Sequence, residues 1–114
     1  MATRYYLSLP EPSRARGSDP VLSFSAHGAE EFAAQLQEAL RTTSLFERWR
    51  QRQDDPDDID PSYGVTDPDA VVHGQQDDLH VGLVVTSSIP GNILKHRLRL
   101  LAGSGWELRD VTAA

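Results

Sequence analysis

The segment Leu79-His80-Val81-Gly82-Leu83-Val84-Val85-Thr86 is the most apolar run of the chain and limits its fold more than any other stretch. It is too short for an ordinary helix and rich in valine, which packs well on a pleated surface, so it predicts a strand. Placed at the centre of a sheet, it turns Leu79, Val81, Leu83 and Val85 to a core and His80, Gly82, Val84 and Thr86 away from it. The neighbouring run Ala70 to Gln75 predicts a hairpin partner. A two-residue loop at Asp77-Asp78 or Gln76-Asp77 then puts His73 on the same outward face as His80. Downstream, Ile89 to Ala102 has helical spacing, with Leu94, Leu98 and Leu101 on the buried stripe and Gly103 as terminator. Trp106 to Val111 predicts a closing strand.

Upstream, Arg4 to Leu9 alternates, with Tyr5, Leu7 and Leu9 on one side and Tyr6 and Ser8 on the other, as in a half-buried strand. Pro10 and Pro12 end it, because proline cannot donate to a ladder. Residues 10–20 predict a mobile polar loop, and Val21 to Ser25 admits a short extra strand with Leu22 and Phe24 on one face. Gly28 to Arg41 switches to helical spacing, with Phe32, Ala33, Leu36, Ala39 and Leu40 on one stripe. Ser44 and Glu47 have capping-box spacing and open a second helix that carries Leu45, Phe46 and Trp49 inward. Residues 54–69 hold seven aspartates and three prolines, which sustains neither periodicity, so 53–69 predicts a mobile acidic loop. The order strand, helix pair, strand, strand, helix, strand predicts an α+β, ferredoxin-like βαββαβ sandwich of two layers, with helices on one face of an antiparallel sheet.

At 114 residues the chain has the size of one domain able to bury a core without staples. It has no cysteine, which removes disulfides, thiolate chemistry and cysteine-based metal sites. The first residues lack the apolar stretch of a signal peptide, and no apolar run nears the roughly 20 residues of a membrane span. A soluble, cytoplasmic protein with no membrane partner is the expectation. The net charge of −6 opposes nucleic-acid binding, which depends on a surplus of cations. Lys95 is the single lysine beside ten arginines, a composition suited to protein interfaces.

No catalytic, cofactor or metal signature is present, and there is neither a Gly-x-Ser-x-Gly elbow nor a P-loop. His73 and His80 offer two imidazoles, fewer than a zinc site uses. Asp58 to Asp69 has a calcium-loop rhythm but places Tyr63 where the sharp turn needs glycine. Two surfaces remain. One is the outward sheet face, with Tyr6, His73, His80, Val84, Glu107 and Arg109 as its contact residues. The other is the strand-to-helix turn, where Thr86, Ser87, Ser88, Gly91 and Asn92 have the composition of an anion site. The first implies a non-catalytic interaction or regulatory module that binds a protein partner or itself. The second implies a small-molecule or anion-binding protein. Trp49 and Trp106 occupy apolar positions that read as core packing, with interface anchoring the other role open to them.

Overall fold

The computed structural model describes residues 2–114. Four strands, β1 (Thr3–Leu9), β2 (Val71–Asp77), β3 (His80–Ser87) and β4 (Glu107–Ala113), form one antiparallel sheet in the order β2-β3-β1-β4. Three helices, α1 (Ala29–Arg41), α2 (Ser44–Gln51) and α3 (Gly91–Ala102), complete a mixed α+β architecture. Because β1 and β2 are both antiparallel to the intervening β3, they run parallel to each other. The same holds for β3 and β4 about β1, so two strand-helix-strand units interleave.

Alternation decides which face is covered. Tyr5, Leu7, Leu9, Val72, Val81, Leu83 and Val85 are buried, whereas the residues between them are exposed or half-buried. The buried side meets Phe32, Ala33, Leu36, Ala39 and Leu40 of α1 and Ile93, Leu94, Leu98, Leu101 and Ala102 of α3. At Gly74 the start of α1 approaches so closely that a Cβ would stand 2.2 Å from the Ala29 carbonyl oxygen. Only glycine fits that crossing.

The hairpin turn differs from the expected one. Asp77 pairs with His80, so Asp78 and Leu79 form the loop, and Leu79 is 66% exposed instead of facing the core. Asp78 takes the left-handed backbone (φ 59°), which an aspartate tolerates better than most residues. The Gln76 amide braces the loop by donating to the Asp78 and His80 carbonyls (2.7 and 3.1 Å). The two expected turns and the observed one change the pairing by steps of two residues. Parity is kept, so His73 faces outward with any of them, and the observed turn sets it beside Val84.

Val21 to Ser25 joins no sheet. Leu22, Phe24 and Ala26 are buried by running along the end of α3, where the Leu101 carbonyl accepts from the amides of Gly17 (3.1 Å) and Phe24 (2.8 Å). Arg16 donates to the carbonyls of Phe24 (3.0 Å) and Ala26 (2.6 Å), tying this segment to the preceding loop. The capping box also does not form. Thr43 is the N-cap of α2 without a side-chain bond, Ser44 lies inside the helix, and Glu47 pairs instead with Arg50 at 3.2 Å. The helix thus starts one residue earlier than a Ser44 cap requires.

Candidate interaction face

The pairing registers lay out the outward side of the sheet in rows that run β2, β3, β1, β4. The uppermost row is Val71, Thr86, Arg4 and Thr112, and the next is His73, Val84, Tyr6 and Asp110. Below it stand Gln75, Gly82, Ser8 and Glu107, and Asp77 and His80 pair in the last row. A β-bulge inserts Arg109 between the second and third rows, where its guanidinium lies 3.5 Å from Glu107.

The sequence-predicted contact residues therefore share one face, in two groups. Tyr6, His73 and Val84 surround an open hollow of about 220 Å³ over Gly82. His80, Glu107 and Arg109 line a second hollow with Ser8 and Trp106 at the lower end. His73 and His80 are four residues apart in register, about 13 Å along the strands, so the two imidazoles do not converge. Among the described residues no group of three or more His, Asp or Glu side chains is arranged to hold a metal ion.

The sheet edges are guarded. On β2, the Val72 amide donates to the Gln37 side chain (3.0 Å), and Arg41 donates to the Ala70 carbonyl (2.6 Å). On β4, the bulge at Arg109 and the charges of Glu107 and Asp110 discourage an added strand.

The strand-to-helix turn holds an anion of the chain's own. Asp67, 7% exposed, accepts from the Ser87 hydroxyl and the Ser88 amide, both at 2.9 Å, and from the Asp69 amide at 3.0 Å. Ser87 Oγ in turn accepts from the Ile89 amide at 3.1 Å. The Ser88 amide, above all, holds the Asp67 carboxyl below its ordinary range; burial opposes this, and the Ser87 hydroxyl and Asp69 amide assist. Two donors that an external anion would need are thus already engaged. Thr86 points to the outer face, while Gly91 and Asn92 begin α3.

Sequence reasoning missed a seam between α2, α3 and the acidic segment. His96 stacks edge-on against Trp49 at 4.5 Å and lies 4.8 Å from the Tyr63 ring. Beside it the Arg97 guanidinium, 1% exposed, donates to the carbonyls of Tyr63 (3.1 Å) and Val65. The spacing from Ile93 and Leu94 already put position 97 on the buried stripe, but its charge read as exposure. Desolvation first, then the charges of Arg97 and Arg99, hold His96 below the usual histidine range. A histidine depressed in the folded state takes up its proton more readily when unfolded. Stability should accordingly fall as pH drops through the unfolded value of about 6.5, and His96→Gln should flatten that slope. Urea melts of both proteins between pH 8 and pH 5 check it, and identical slopes would refute it.

Comparison of the chain with protein-family models, with curated proteins and with solved structures returns no match.

Proposed function

We propose that the chain is a small acidic, non-catalytic interaction or regulatory module of the cytoplasm that engages a protein, or itself, through the outer sheet face. The observation that carries this reading is a sheet face with an apolar centre at Tyr6 and Val84 and a polar rim. Interfaces commonly combine such a centre and rim. The net charge of −6 favours a protein over a nucleic acid as partner. Among the described residues no helix is long and apolar enough to cross a membrane. We propose further that the fold is of the ferredoxin-like type, a reading supported by the interleaved strand-helix-strand units and the order β2-β3-β1-β4. Anion binding at Thr86 to Asn92 is the weaker reading, since Asp67 occupies donors there.

Val84→Arg tests the proposal by adding a charge at the centre of the face without touching the core. Affinity capture should lose its retained protein or the self-associated species with this variant, while the melting temperature stays within a few degrees. Equal retention by both proteins would overturn the proposed surface.

A further inference from the structure

We infer that the cleft where α1 meets α2 is a binding site for a small aliphatic zwitterion, an α-amino acid of leucine size. The site goes beyond the interaction-face reading, since none of the residues that line it lies on the outward sheet face.

The cleft has a volume of about 240 Å³ and is walled on one side by the segment that follows Asp19. That segment is fastened at both ends. Arg52 binds the Asp19 carboxylate at 3.1 Å, and the same carboxylate accepts from the Val21 amide at 3.0 Å. At the other end the Gln35 side chain accepts from the Ser25 amide (3.1 Å) and donates to the Ser25 hydroxyl (3.0 Å). Its middle is held to α3 by the Phe24 amide, which donates to the Leu101 carbonyl. The cleft is therefore preformed, and a ligand is spared the cost of ordering it. Sites for drug-sized molecules begin at roughly 300 Å³, so this one suits something smaller.

Glu38 of α1 and Arg48 of α2 are the charged residues of the lining. The other arginines nearby are in use: Arg50 pairs with Glu47 (3.2 Å) and Arg52 with Asp19 (3.1 Å). Among the described residues neither Arg48 nor Glu38 enters an ion pair, with each other or with any other group. The Arg48 guanidinium donates to the Ser44 hydroxyl at 3.1 Å, which leaves further donors for a carboxylate.

Two opposite charges held apart at one cleft select the ligand. A simple anion there would face Glu38 and a simple cation would face Arg48, whereas a molecule carrying both charges satisfies both. The apolar part of the lining consists of Leu22, Ala39, Leu45 and Leu101, all buried, together with Val21, which is 52% exposed. A branched aliphatic side chain matches that surface and shields it from water.

Titration of the full-length, 15N-labelled protein with leucine, followed by amide chemical shifts, tests the site. Shifts should concentrate at Leu22, Ser23, Gln35, Ala39 and Leu45, with a dissociation constant of about 0.1–1 mM. Two probes each remove one charge: 4-methylpentanoate lacks the ammonium group and 3-methylbutylamine lacks the carboxylate. Each should bind at least about tenfold more weakly than leucine. In Glu38→Gln, leucine and 4-methylpentanoate should bind about equally, and in Arg48→Gln, leucine and 3-methylbutylamine should do so. Both side chains are exposed, and circular dichroism melts keep a folding defect from mimicking lost binding. No shift with leucine at about 20 mM, shifts centred outside the cleft, or equal affinity of the unaltered protein for leucine and either probe overturns the inference.

Discussion

Asp67→Ala is expected to lower stability by about 3 kcal/mol, because the carboxylate serves three donors and charged hydrogen bonds contribute roughly 1.5–3 kcal/mol each before non-additivity. Those donors are the Ser87 hydroxyl and the amides of Ser88 and Asp69, and Ser87 is itself buried. Alanine leaves them facing protein, and water has little access to a site only 7% exposed. The damage extends past the turn, because the Ser87 hydroxyl that the carboxylate orients holds the Ile89 amide ahead of α3, whereas the backbone bond from the Asp67 amide to the Leu40 carbonyl (2.8 Å) is kept in alanine. One carboxylate thus connects the exit of β3 to the entry of β2. In a chain of this size about 3 kcal/mol corresponds to a melting temperature lower by about 12 °C. Asp67→Asn keeps the shape and one acceptor oxygen and should cost less, about 1–2 kcal/mol.

The acid limb provides a second measurement. The folded Asp67 carboxyl titrates below its unfolded value, so its contribution is present above about pH 4 and is lost as pH falls through the folded value. Urea melts at pH 7 and pH 3 should show the wild type losing more stability than Asp67→Asn over this interval. Equal losses, or an alanine variant as stable as the wild type at pH 7, would remove Asp67 from this role.

The parts of this fold that could be read in the chain are those where side-chain period alone decides the answer. Tyr5, Leu7 and Leu9 announce one strand, Val81, Leu83 and Val85 another, and Phe32, Leu36 and Leu40 a helix; the structure buries all of them on one side of the sheet. The outward placement of His73 followed from parity, which survives a turn displaced by two residues in pairing. The exact turn did not follow, since it depends on Asp78 adopting a left-handed backbone and on the Gln76 amide reaching across it. Leu22 and Phe24 alternate like a strand, but alternation does not say which acceptor the backbone finds, and here it is the Leu101 carbonyl. Asp67 was hidden by its company: amid a solvated acidic run, the one buried aspartate carries no distinguishing composition. Its Asp-Pro-Asp setting, which forms a local turn with the Asp69 amide on its carboxylate, was the available clue.

Arg97 supplies the other large effect, and it separates packing from charge. Arg97→Ala should destabilise by about 3–4 kcal/mol, because it empties the volume of a long, fully buried side chain. Arg97→Met should cost only about 1 kcal/mol or less. Methionine refills most of that space, and the buried guanidinium it replaces has Nε and one terminal nitrogen without partners. Burial already depresses the arginine, so the cation contributes a desolvation cost that methionine avoids. Tyr63 and Val65 lie near the surface, and their carbonyls can turn to water once released. What methionine cannot supply is the tether. Amide exchange across residues 61–66 should accelerate in both variants, while global stability falls steeply in only one of them. Should methionine prove as damaging as alanine in urea melts, the hydrogen bonds from Arg97 to the Tyr63 and Val65 carbonyls, and not the filled volume, would be what the seam requires.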